Sequence, residues 1–451
     1  MAVNLKNKKI TIIGAGRSGI ASAMVAVSLG ALPFVSDNGD YIEETASRLK
    51  NAGIEFEFGS HSHRIYDCDL LIVSPGVPSD SETIRAARTK GLTVWPEVEL
   101  AYRICKGAII GVTGSNGKTT TTTLIGEILR RAGKEVRVCG NIGNPFIDSA
   151  ADLSSNGFAV VELSSFQLEI IDKFRPRVAV FLNITPDHLD RHGDFDTYFA
   201  AKTRIFENQK PDDFAVVNYD DEKLRALERR IGSKIKWFST SRELPDGVTG
   251  RPGGEIDAFG DRVIGSDELK IKGVHNLSNA CAAAAAVLSV GAKAQNVAET
   301  LRIFPGVEHR LEPVRLIGGV SFINDSKGTN VDSVRWALMA VSAPVILIAG
   351  GKDKDGDFSA LNALIAVKTK AVILIGRAAA KISKEWGHLT ECRYASDMEE
   401  AVNMAFAIAS VGDTVLLSPG CASFDMYDNF EHRGRVFKAA VAKLNSSGVA
   451  G

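Results

Sequence analysis

A glycine-rich loop at residues 111–120, GVTGSNGKTT, is the strongest chemical signal in this sequence. It lies between a short apolar run and a helical pattern, where backbone N–H groups can surround phosphate oxygens. Lys118 would neutralise charge on the β- and γ-phosphates, and Thr119 would bind Mg²⁺. The predicted nucleoside triphosphate site consists of Gly114, Ser115, Asn116, Gly117, Lys118, Thr119 and Thr120.

The loop departs from the common GxxxxGK form, because the first glycine of that form would fall at Val112. Gly114 lies closer to the lysine than that form requires. The alternative is a glycine-rich helix start without a ligand. The combination of strand, loop, lysine and threonine favours the nucleotide site.

A second glycine pattern, Gly14-x-Gly16-x-x-Gly19, follows the apolar run at residues 9–13. Asp37 lies about twenty residues further on, at the end of the next predicted strand, which completes a dinucleotide-binding fingerprint. Such glycines let the backbone approach a phosphate at a helix N-terminus. The pattern predicts a phosphate-bearing ligand and, taken alone, favours NAD. The alternative is that the glycines only allow close packing of helix and strand.

Acidic and histidine side chains follow two later apolar runs. Glu162 comes directly after residues 158–161, and Asp187 and His188 lie just beyond residues 178–182. The carboxyl ends of parallel strands meet at one edge of a sheet, where open α/β proteins place their sites. Helix capping and ordinary packing are the alternatives for each residue alone. Together, beside a phosphate loop, they predict a Mg²⁺ site.

Lys202 is unusual because it falls on the apolar side of its predicted helix. In FDTYFAAKTRIF the apolar stripe consists of Phe195, Tyr198, Phe199, Ile205 and Phe206, and Lys202 shares its spacing. An inward-facing lysine must contact an anion, lose its proton or be modified. The alternative is that its long side chain reaches solvent.

Three polar segments in the last third of the chain each follow an apolar run: NDSKGTN at 324–330, GGKDKDGDF at 350–358 and SPGCASFDMYDNFEHRG at 418–434. Each could be a turn with helix capping. Together they place lysines, acids and hydroxyls at one edge of a third sheet. The sequence therefore predicts a face that binds a small charged molecule.

These motifs must be positioned by apolar strands that alternate with helices, the pattern of sheets covered on both faces. The predicted fold class is therefore α/β. The pattern restarts near residue 99 and again after FPGVEHR at 304–310, and the length of 451 residues suits about three domains. The predicted domains are residues 1–99, 100–305 and 306–451. Residues 242–267 are expected to form short β turns rather than a linker.

Composition excludes several classes of protein. With 53 Lys and Arg against 54 Asp and Glu, the net charge of −1 argues against a nucleic-acid-binding surface. Six cysteines without CxxC spacing indicate free thiols rather than disulfides or zinc ligands. The apolar N-terminal run is too short for a signal peptide, and the apolar stretch at 280–292 is too short to span a membrane. We expect a soluble, cytoplasmic protein.

Nine motifs in order make the chain resemble the Mur ligases, ATP-dependent enzymes that form amide bonds in peptidoglycan precursors. The resemblance covers nearly the whole chain and rests on GSNGKTT (114–120), CGNIGNP (139–145), VELSSFQLE (161–169), NITPDHLDRH (183–192), AAKTRIF (200–206), HNLSNA (275–280), EHR (308–310), NDSKGTN (324–330) and LSPGCASFDMYDNFEHRG (417–434). With the GxGxxG start, the last motif most resembles the family member that adds D-glutamate to UDP-N-acetylmuramoyl-L-alanine.

The resemblance implies a Rossmann-like first domain that holds a UDP-sugar rather than NAD. The implied contacts there are Arg17, Ser18, Asp37, Ser74, Gly76 and Asn141, although some relatives have an apolar residue where this chain has Arg17. It also implies a central P-loop ATPase-like domain with a parallel or mixed sheet. In that domain Lys118, Thr119, Glu162 and His188 would contact phosphate and Mg²⁺. Lys202 matches a lysine that the family carbamylates with CO₂, and the carbamate would bind a second Mg²⁺.

The third domain is implied to be Rossmann-like and to bind the incoming amino acid. Asn279, Arg310 and Asp325 resemble contacts to adenine, γ-phosphate and ribose. The implied amino-acid contacts are Lys327, Thr329, Lys354, Ser423, Phe424 and Phe430, and His188 is expected beside the substrate. Lys118, His188 and Lys202 are the expected catalytic residues.

The implied reaction consumes ATP, passes through an acyl phosphate and a tetrahedral intermediate, and releases ADP and phosphate. The expected cofactors are ATP, two Mg²⁺ ions and the Lys202 carbamate. The expected partners are small molecules only, with no nucleic acid and no membrane, and the enzyme is expected to be a monomer that serves cell-wall synthesis, cell shape and division. The alternatives are a sister ligase for another amino acid, folylpolyglutamate synthetase, a nucleotide-dependent switch, and an NAD-dependent oxidoreductase.

Overall fold

Three α/β sheets are formed along the chain. The computed structural model describes residues 3–141 and 143–444, so Ile142 of the CGNIGNP motif lies outside the described residues. The chain forms two compact units, and the first contains the first two sheets. The second unit contains the third sheet together with the segments Thr185–Phe195 and Lys270–Asn276.

The first sheet has five parallel strands in the order β3-β2-β1-β4-β5. Its strands are β1 (Lys9–Ile13), β2 (Leu32–Asp37), β3 (Glu55–Phe58), β4 (Leu70–Val73) and β5 (Val94–Pro96). The accompanying helices are α1 (Arg17–Ser28), α2 (Glu43–Asn51), α3 (Glu82–Thr89) and α4 (Glu97–Ile104). The chain order reverses at β1, so the turn after β1 lies at the switch point where such sheets bind ligands.

The second sheet has nine strands in the order β14-β13-β12-β11-β10-β9-β6-β8-β7, parallel from β7 to β12 and antiparallel over the last two pairs. Its strands are β6 (Ala108–Thr113), β7 (Val136–Gly140), β8 (Phe158–Glu162), β9 (Val178–Phe181), β10 (Phe214–Asn218), β11 (Lys234–Ser239), β12 (Val248–Gly250), β13 (Glu255–Ala258) and β14 (Asp261–Gly265). The stretch predicted as short β turns forms β12 to β14.

Helices of this central region include several single turns. The helices of this region, long and short, are α5 (Lys118–Arg131), α6 (Phe146–Ala150), α7 (Ser165–Leu168), α8 (Leu189–His192), α9 (Phe195–Thr203), α10 (Glu222–Arg225), α11 (Val274–Ser289) and α12 (Ala294–Ile303). The alanines of α11 are buried, since small side chains allow close packing. No helix in the described part of the chain has both the length and the hydropathy of a membrane span.

The third sheet has the order β15-β16-β20-β17-β18-β19, and only the β15–β16 pair is antiparallel. Its strands are β15 (Glu312–Ile317), β16 (Val320–Asn324), β17 (Val345–Gly350), β18 (Thr369–Ile375), β19 (Glu391–Tyr394) and β20 (Thr414–Leu417). Its helices are α13 (Val331–Ala340), α14 (Asn362–Lys368), α15 (Ala379–Trp386), α16 (Met398–Ile408) and α17 (Phe430–Lys443).

Both faces of the third sheet are covered, as the continuous apolar strands predict. Ile346 and Ile348 of β17 pack in one apolar cluster, and Leu347 and Ala349 pack in another. Successive side chains of a strand point to opposite faces of the sheet. The two buried clusters therefore lie on opposite faces, and both faces are shielded from water. The predicted α/β class with parallel and mixed sheets is confirmed, and the six cysteines are free thiols. The exact domain boundaries stay predictions.

Glu97, the first residue of α4, is buried with 1% of its surface exposed. One carboxylate oxygen accepts the Ile147 backbone N–H at 2.6 Å, and the other has no hydrogen-bond partner within the described structure. Burial raises the pKa of this carboxyl from 4.5 to about 7. The charged form is therefore unfavourable in the folded chain.

We expect this carboxyl to make stability depend on pH. Between its unfolded and folded pKa values the folded chain keeps a proton that the unfolded chain has released, so stability falls as pH rises through that window. The effect is on the order of 3 kcal/mol between pH 4.5 and 7. In urea unfolding from pH 4.5 to 8, the free energy of unfolding of Glu97→Gln should rise by this amount relative to that of the wild type. Glu43→Gln, at the exposed start of α2, is the control, and parallel pH curves for wild type and Glu97→Gln would contradict the expectation.

Candidate active site

The phosphate loop lies between β6 and α5 and is held in shape by an asparagine. The Asn183 side chain accepts the Asn116 backbone N–H at 2.8 Å and donates to the Asn116 carbonyl at 3.1 Å. The Asn183 carbonyl also accepts the Ser115 N–H at 3.0 Å. Sequence reasoning did not single out Asn183, although it lies directly after a strand within the NITPDHLDRH motif, which was a signal for it.

Lys118 folds back across this loop. Its Nζ donates to the Gly114 carbonyl at 2.9 Å and to the Ser115 carbonyl at 2.8 Å. These bonds keep the ammonium charge against the loop whose N–H groups are suited to phosphate oxygens. A contact between Lys118 and the β- and γ-phosphates stays a prediction.

A buried set of oxygen ligands lies at the start of α5. The Thr119 hydroxyl donates to Glu162 Oε2 at 2.7 Å, and the Asn141 amide donates to Glu162 Oε1 at 2.9 Å. Thr119 and Glu162 are both buried. Hydroxyl and carboxylate oxygens are the ligands that Mg²⁺ prefers beside nucleotide phosphates, so these residues fit that ion.

Lys202 is buried, with 2% of its surface exposed, as its place on the apolar stripe predicts. Its Nζ donates to the Gly114 carbonyl at 2.9 Å and lies 3.5 Å from the Thr113 hydroxyl. The ammonium also lies 4.8 Å from the centre of the Tyr198 ring, whose hydroxyl is 3.0 Å from Ser115 Oγ. Lys202 and Lys118 therefore both contact the carbonyl of Gly114.

Asn279 lies against the same loop. Gly117 has a φ of 82°, and a Cβ atom there would lie 2.3 Å from Asn279 Oδ1 and 3.3 Å from Leu182 Cδ1. Only glycine fits this backbone conformation and this close approach without strain. The Asn279 side chain of α11 thus packs against the phosphate loop. The predicted contact of Asn279 with adenine would lie beside the phosphates.

Gly117→Ala is expected to weaken ATP binding about tenfold or more, because the loop must distort and Asn279 must move. Isothermal titration with ATP and Mg²⁺ measures the effect. Gly133→Ala is the matched control: Gly133 follows the other end of α5 with a φ of 74°, and nothing lies within 4 Å of its Cβ position. Equal ATP affinity in both variants would contradict the expectation.

The glycine-rich turn after β1 contacts the carboxylate of Asp37, the last residue of β2. Asp37 accepts the Ala15 backbone N–H at 2.5 Å and the Gly39 N–H at 2.7 Å. Ser74 donates to the Gly14 carbonyl at 3.1 Å, and a Cβ at Gly19 would lie 1.8 Å from the Gly14 oxygen. The turn therefore needs its glycines for packing, and Asp37 and Ser74 lie at the carboxyl edge of this sheet.

The other predicted contacts of the first domain lie near the same edge. Ser18 is in the first turn of α1, and the Arg17 guanidinium donates to the Gly143 carbonyl at 3.4 Å. Gly76 is exposed in the loop that follows β4. The Asn141 amide donates to Glu162, and its contact with the substrate stays a prediction.

His188 and Asp187 belong to the second compact unit. His188 has a φ of 55° at the start of α8, and its N–H donates to Asp187 Oδ1 at 3.0 Å. Asp187 also accepts Lys354 Nζ at 3.2 Å and the Asn330 amide at 3.1 Å. The NITPDHLDRH segment is thus joined to two of the polar segments of the third sheet. A Mg²⁺ site shared by His188 and Glu162 stays a prediction.

Asp325 lies buried after β16. It accepts the Ser418 hydroxyl at 2.8 Å and the Leu311 N–H at 3.2 Å, and burial raises its pKa to about 6. The neighbouring Arg310 opposes that rise, and its Nε is buried with no hydrogen-bond partner in the described structure. A buried guanidinium nitrogen without an acceptor suits a phosphate ligand.

The three polar segments meet at one edge of the third sheet, because they follow β16, β20 and β17, which are neighbours and parallel. Lys327 Nζ lies 4.7 Å from the centre of the Phe430 ring, and the Thr329 N–H donates to the Lys327 carbonyl. Ser423 is buried, whereas the Phe424 side chain is 70% exposed. The three segments share one edge as predicted, and the binding of a small molecule there stays a prediction.

Family models match three parts of the chain. One described as the Mur ligase middle domain matches residues 112–287, and one described as the Mur ligase glutamate ligase domain matches residues 309–421. A third, described as the MurD N-terminal domain, matches residues 9–83. The three matches follow one another in the order of the three sheets.

Curated relatives match over nearly their full length. The UDP-N-acetylmuramoylalanine--D-glutamate ligase of Thermoanaerobacter pseudethanolicus is 42% identical, with 98% of this chain and 100% of the relative covered. The ligases of the same name from Acidobacterium capsulatum and Pelotomaculum thermopropionicum are each 44% identical. The coverage is 97% of both chains for the former, and 98% of this chain and 99% of the relative for the latter.

Solved structures share the fold at low sequence identity. The UDP-N-acetylmuramate-alanine ligase MurC of Thermotoga maritima superposes with a TM-score of 0.63 at 22% identity, covering 97% of this chain and 99% of that one. The MurF ligase of the same organism, solved in complex with ADP, gives 0.62 at 18% identity, covering 97% of this chain and 96% of that one. These two likenesses show the three-domain fold.

The three sheets, the phosphate loop and the polar edge of the third sheet define an ATP-dependent ligase of the Mur type. Within that class, the first-domain match and the full-length relatives are specific to one activity. The chain belongs to the UDP-N-acetylmuramoylalanine--D-glutamate ligase family, which acts in peptidoglycan synthesis. The oxidoreductase, folylpolyglutamate synthetase and nucleotide-switch alternatives are not supported.

Proposed function

We propose that this chain joins D-glutamate to UDP-N-acetylmuramoyl-L-alanine and converts ATP to ADP and phosphate. The observation that carries the proposal is the contact of both Lys118 and Lys202 with the Gly114 carbonyl, beside the Thr119–Glu162 pair. Two lysines and a carboxylate around a phosphate loop suit charge neutralisation during phosphoryl transfer.

In the first step, the alanine carboxylate attacks the γ-phosphorus of ATP, and the bond from that phosphorus to the β-phosphate oxygen breaks. The products are ADP and an acyl phosphate. Lys118 stabilises charge on the transferring group, and the loop N–H groups hold the phosphates in place. Arg310, with its unpartnered Nε, is proposed to contact the γ-phosphate. Asn279 and Asp325 are proposed to contact adenine and ribose.

Thr119, Glu162 and His188 are proposed to hold Mg²⁺, which supplies positive charge to the phosphate oxygens when bound. Lys202 is proposed to carry a carbamate, formed when its neutral amine attacks CO₂ and releases a proton. A carbamate nitrogen keeps one N–H, so the bond to the Gly114 carbonyl can persist. The modification replaces a buried cation by an anion that is suited to a second Mg²⁺.

In the second step, the neutral glutamate amine attacks the acyl carbon, its nitrogen releases one proton, and the tetrahedral intermediate breaks the bond to the phosphate oxygen to give the amide and phosphate. Lys327, Thr329, Lys354, Ser423, Phe424 and Phe430 are proposed to hold glutamate. Their support is a shared sheet edge with two lysines, which suits a dicarboxylic amino acid. Arg17, Ser18, Asp37, Ser74, Gly76 and Asn141 are proposed to hold the UDP-linked substrate.

We further propose that the domains are residues 1–99, 100–305 and 306–451, and that the enzyme works in the cytoplasm as a monomer on small molecules alone. The described chain has no helix suited to a membrane span, and its net charge of −1 offers no broad basic surface. Gel filtration of the purified chain measures the oligomeric state.

The deciding experiment is amino-acid-dependent ADP formation with UDP-N-acetylmuramoyl-L-alanine and Mg²⁺. D-Glutamate, L-glutamate, meso-diaminopimelate, L-lysine and L-alanine are compared at equal concentration. We expect turnover with D-glutamate alone. Turnover with a different amino acid, or ADP formation that ignores the amino acid, would overturn the proposed substrate.

A further inference from the structure

Arg433 is a completely buried arginine with no assigned role in the reaction. It lies on α17, where it shares the apolar stripe with Phe437, Ala440 and Val441, and 0% of its surface is exposed. A charged residue on an apolar stripe is the same signal that marked Lys202. Burial lowers the pKa of its guanidinium to about 10, so it remains charged at neutral pH.

Three bonds of this guanidinium reach two of the loops that follow the parallel strands. Its Nε donates to the Ser326 hydroxyl at 3.0 Å, and its Nη2 donates to the Ser326 carbonyl at 2.8 Å. Its Nη1 donates to the Cys421 carbonyl at 3.1 Å. Ser326 directly precedes Lys327, and Cys421 lies two residues before Ser423.

The third loop and the start of α17 are connected to these two loops. A Cβ at Gly351 would lie 3.2 Å from Arg433 Nη1, and Lys352 exchanges two backbone hydrogen bonds with Ala422, at 2.8 and 2.9 Å. The Ser326 hydroxyl in turn donates to the Phe430 carbonyl at 2.8 Å. The planar fork of Arg433 therefore bonds two of the three loops directly, and the third loop is paired with one of them through Lys352 and Ala422.

Stability alone does not explain a buried charge at this place. Removing a guanidinium from water is costly, and well-packed apolar residues often replace buried charged groups without loss of stability. The bonds to Ser326 and Cys421 instead fix the geometry of loops, which a planar donor with several N–H groups does better than an ammonium. Geometry, rather than folding energy, is what this side chain supplies.

We propose that Arg433 is a positioning residue for the amino-acid substrate, which sets the relative placement of the three loops that bind it. This inference rests on the proposed function, because it takes those loops as the glutamate site. Arg433 touches no reacting atom and acts through Lys327, Lys354 and Ser423.

Steady-state kinetics of Arg433→Met and Arg433→Lys test the proposal, with each of the three substrates varied in turn. We expect the KM for D-glutamate to rise about tenfold in both variants. A change of that size corresponds to the loss of one or two charge-assisted hydrogen bonds. The KM values for ATP and for the UDP-linked substrate should stay within about twofold, and kcat should change less than the glutamate KM does. A merely structural role would move all parameters together.

Arg315→Met is the matched control. Arg315 also donates to three backbone carbonyls at the other end of α17, those of Val441, Ala442 and Leu444, but it lies away from the loops. Its glutamate KM should match the wild type. If the Arg433 variants are insoluble, Ser326→Ala decides the question, since it removes the acceptor of Nε and should raise the glutamate KM about threefold.

The outcomes separate the two proposals. A soluble Arg433 variant with an unchanged glutamate KM, or with equal losses for all three substrates, overturns the positioning role and leaves the reaction intact. A wild-type chain that forms no ADP with D-glutamate overturns the proposed function and this inference together. A selective rise in the glutamate KM supports both.

Discussion

Lys202→Ala is expected to lower kcat by about a thousandfold or more, with the fold intact. Lys202 is buried beside the phosphate loop, and its Nζ contacts the Gly114 carbonyl that also accepts Lys118. Loss of the side chain removes the proposed carbamate and with it the ligand for a second Mg²⁺. The charge of the transferring phosphoryl group would then be poorly balanced, and electrostatic stabilisation of that charge supplies most of the acceleration in phosphoryl transfer.

Chemical rescue distinguishes the carbamate from a plain ammonium. A short carboxylic acid, such as acetate or propionate, should restore part of the activity of Lys202→Ala, because it can occupy the space that the side chain leaves and supply the missing carboxylate. Lys202→Arg should remain inactive and should not respond, since a guanidinium cannot form a carbamate and fills that space. ADP formation with and without added acid is the measurement.

Lys234→Ala is the matched control for this prediction. Lys234 begins β11 of the second sheet, and its Nζ lies 5.8 Å from the centre of the Phe214 ring, as the Nζ of Lys202 in α9 lies over the Tyr198 ring, but Lys234 is exposed. Its activity should equal that of the wild type. An active Lys202→Ala variant, or an activity loss that no acid relieves, would remove the support for the carbamate.

Lys118→Ala is expected to lower the kcat of ATP-dependent turnover by about a thousandfold, as Lys202→Ala is. Its ammonium is held by the carbonyls of Gly114 and Ser115, which keeps a compact positive charge where the β- and γ-phosphates are proposed to bind. Lys118→Arg should also be severely impaired, because a planar guanidinium cannot take the place of a compact ammonium between two carbonyls.

The measurement is again ADP formation, together with calorimetric ATP binding to learn whether ground-state affinity falls as well. Lys134→Ala, an exposed lysine just beyond the other end of α5, is the control and should behave as the wild type. Turnover of Lys118→Ala within about tenfold of the wild type would exclude the proposed role in charge neutralisation.

The strands that carry the sites were predictable because they are short, apolar and continuous. The apolar runs at 9–13, 158–161 and 178–182 form the strands Lys9–Ile13, Phe158–Glu162 and Val178–Phe181. The strands that were not predicted, such as β3 and β19 at sheet edges, are polar and only partly buried. Local sequence patterns report burial on both faces, and edge strands lack it.

The site was predictable where a residue type and a backbone turn act together. The glycines at 114 and 117, Lys118 and Glu162 at the end of β8 were all recognisable, because such residues lie at the carboxyl end of a strand. Arg433 and Glu97 were not predicted as buried charges. Ser326 lies 107 residues from Arg433 in the chain, and Ile147 lies 50 residues from Glu97.

The sequence by itself determined the class of fold, the nucleotide loop, the inward lysine and the resemblance to the Mur ligases, since these depend on local spacing and on strands that end in functional turns. Only the tertiary structure decided that Lys118 and Lys202 meet at one carbonyl, that Glu162 accepts from Thr119 and Asn141, and that one arginine bonds two loops. Those contacts depend on the order of strands in a sheet, and strand order is set by packing between segments distant in the chain.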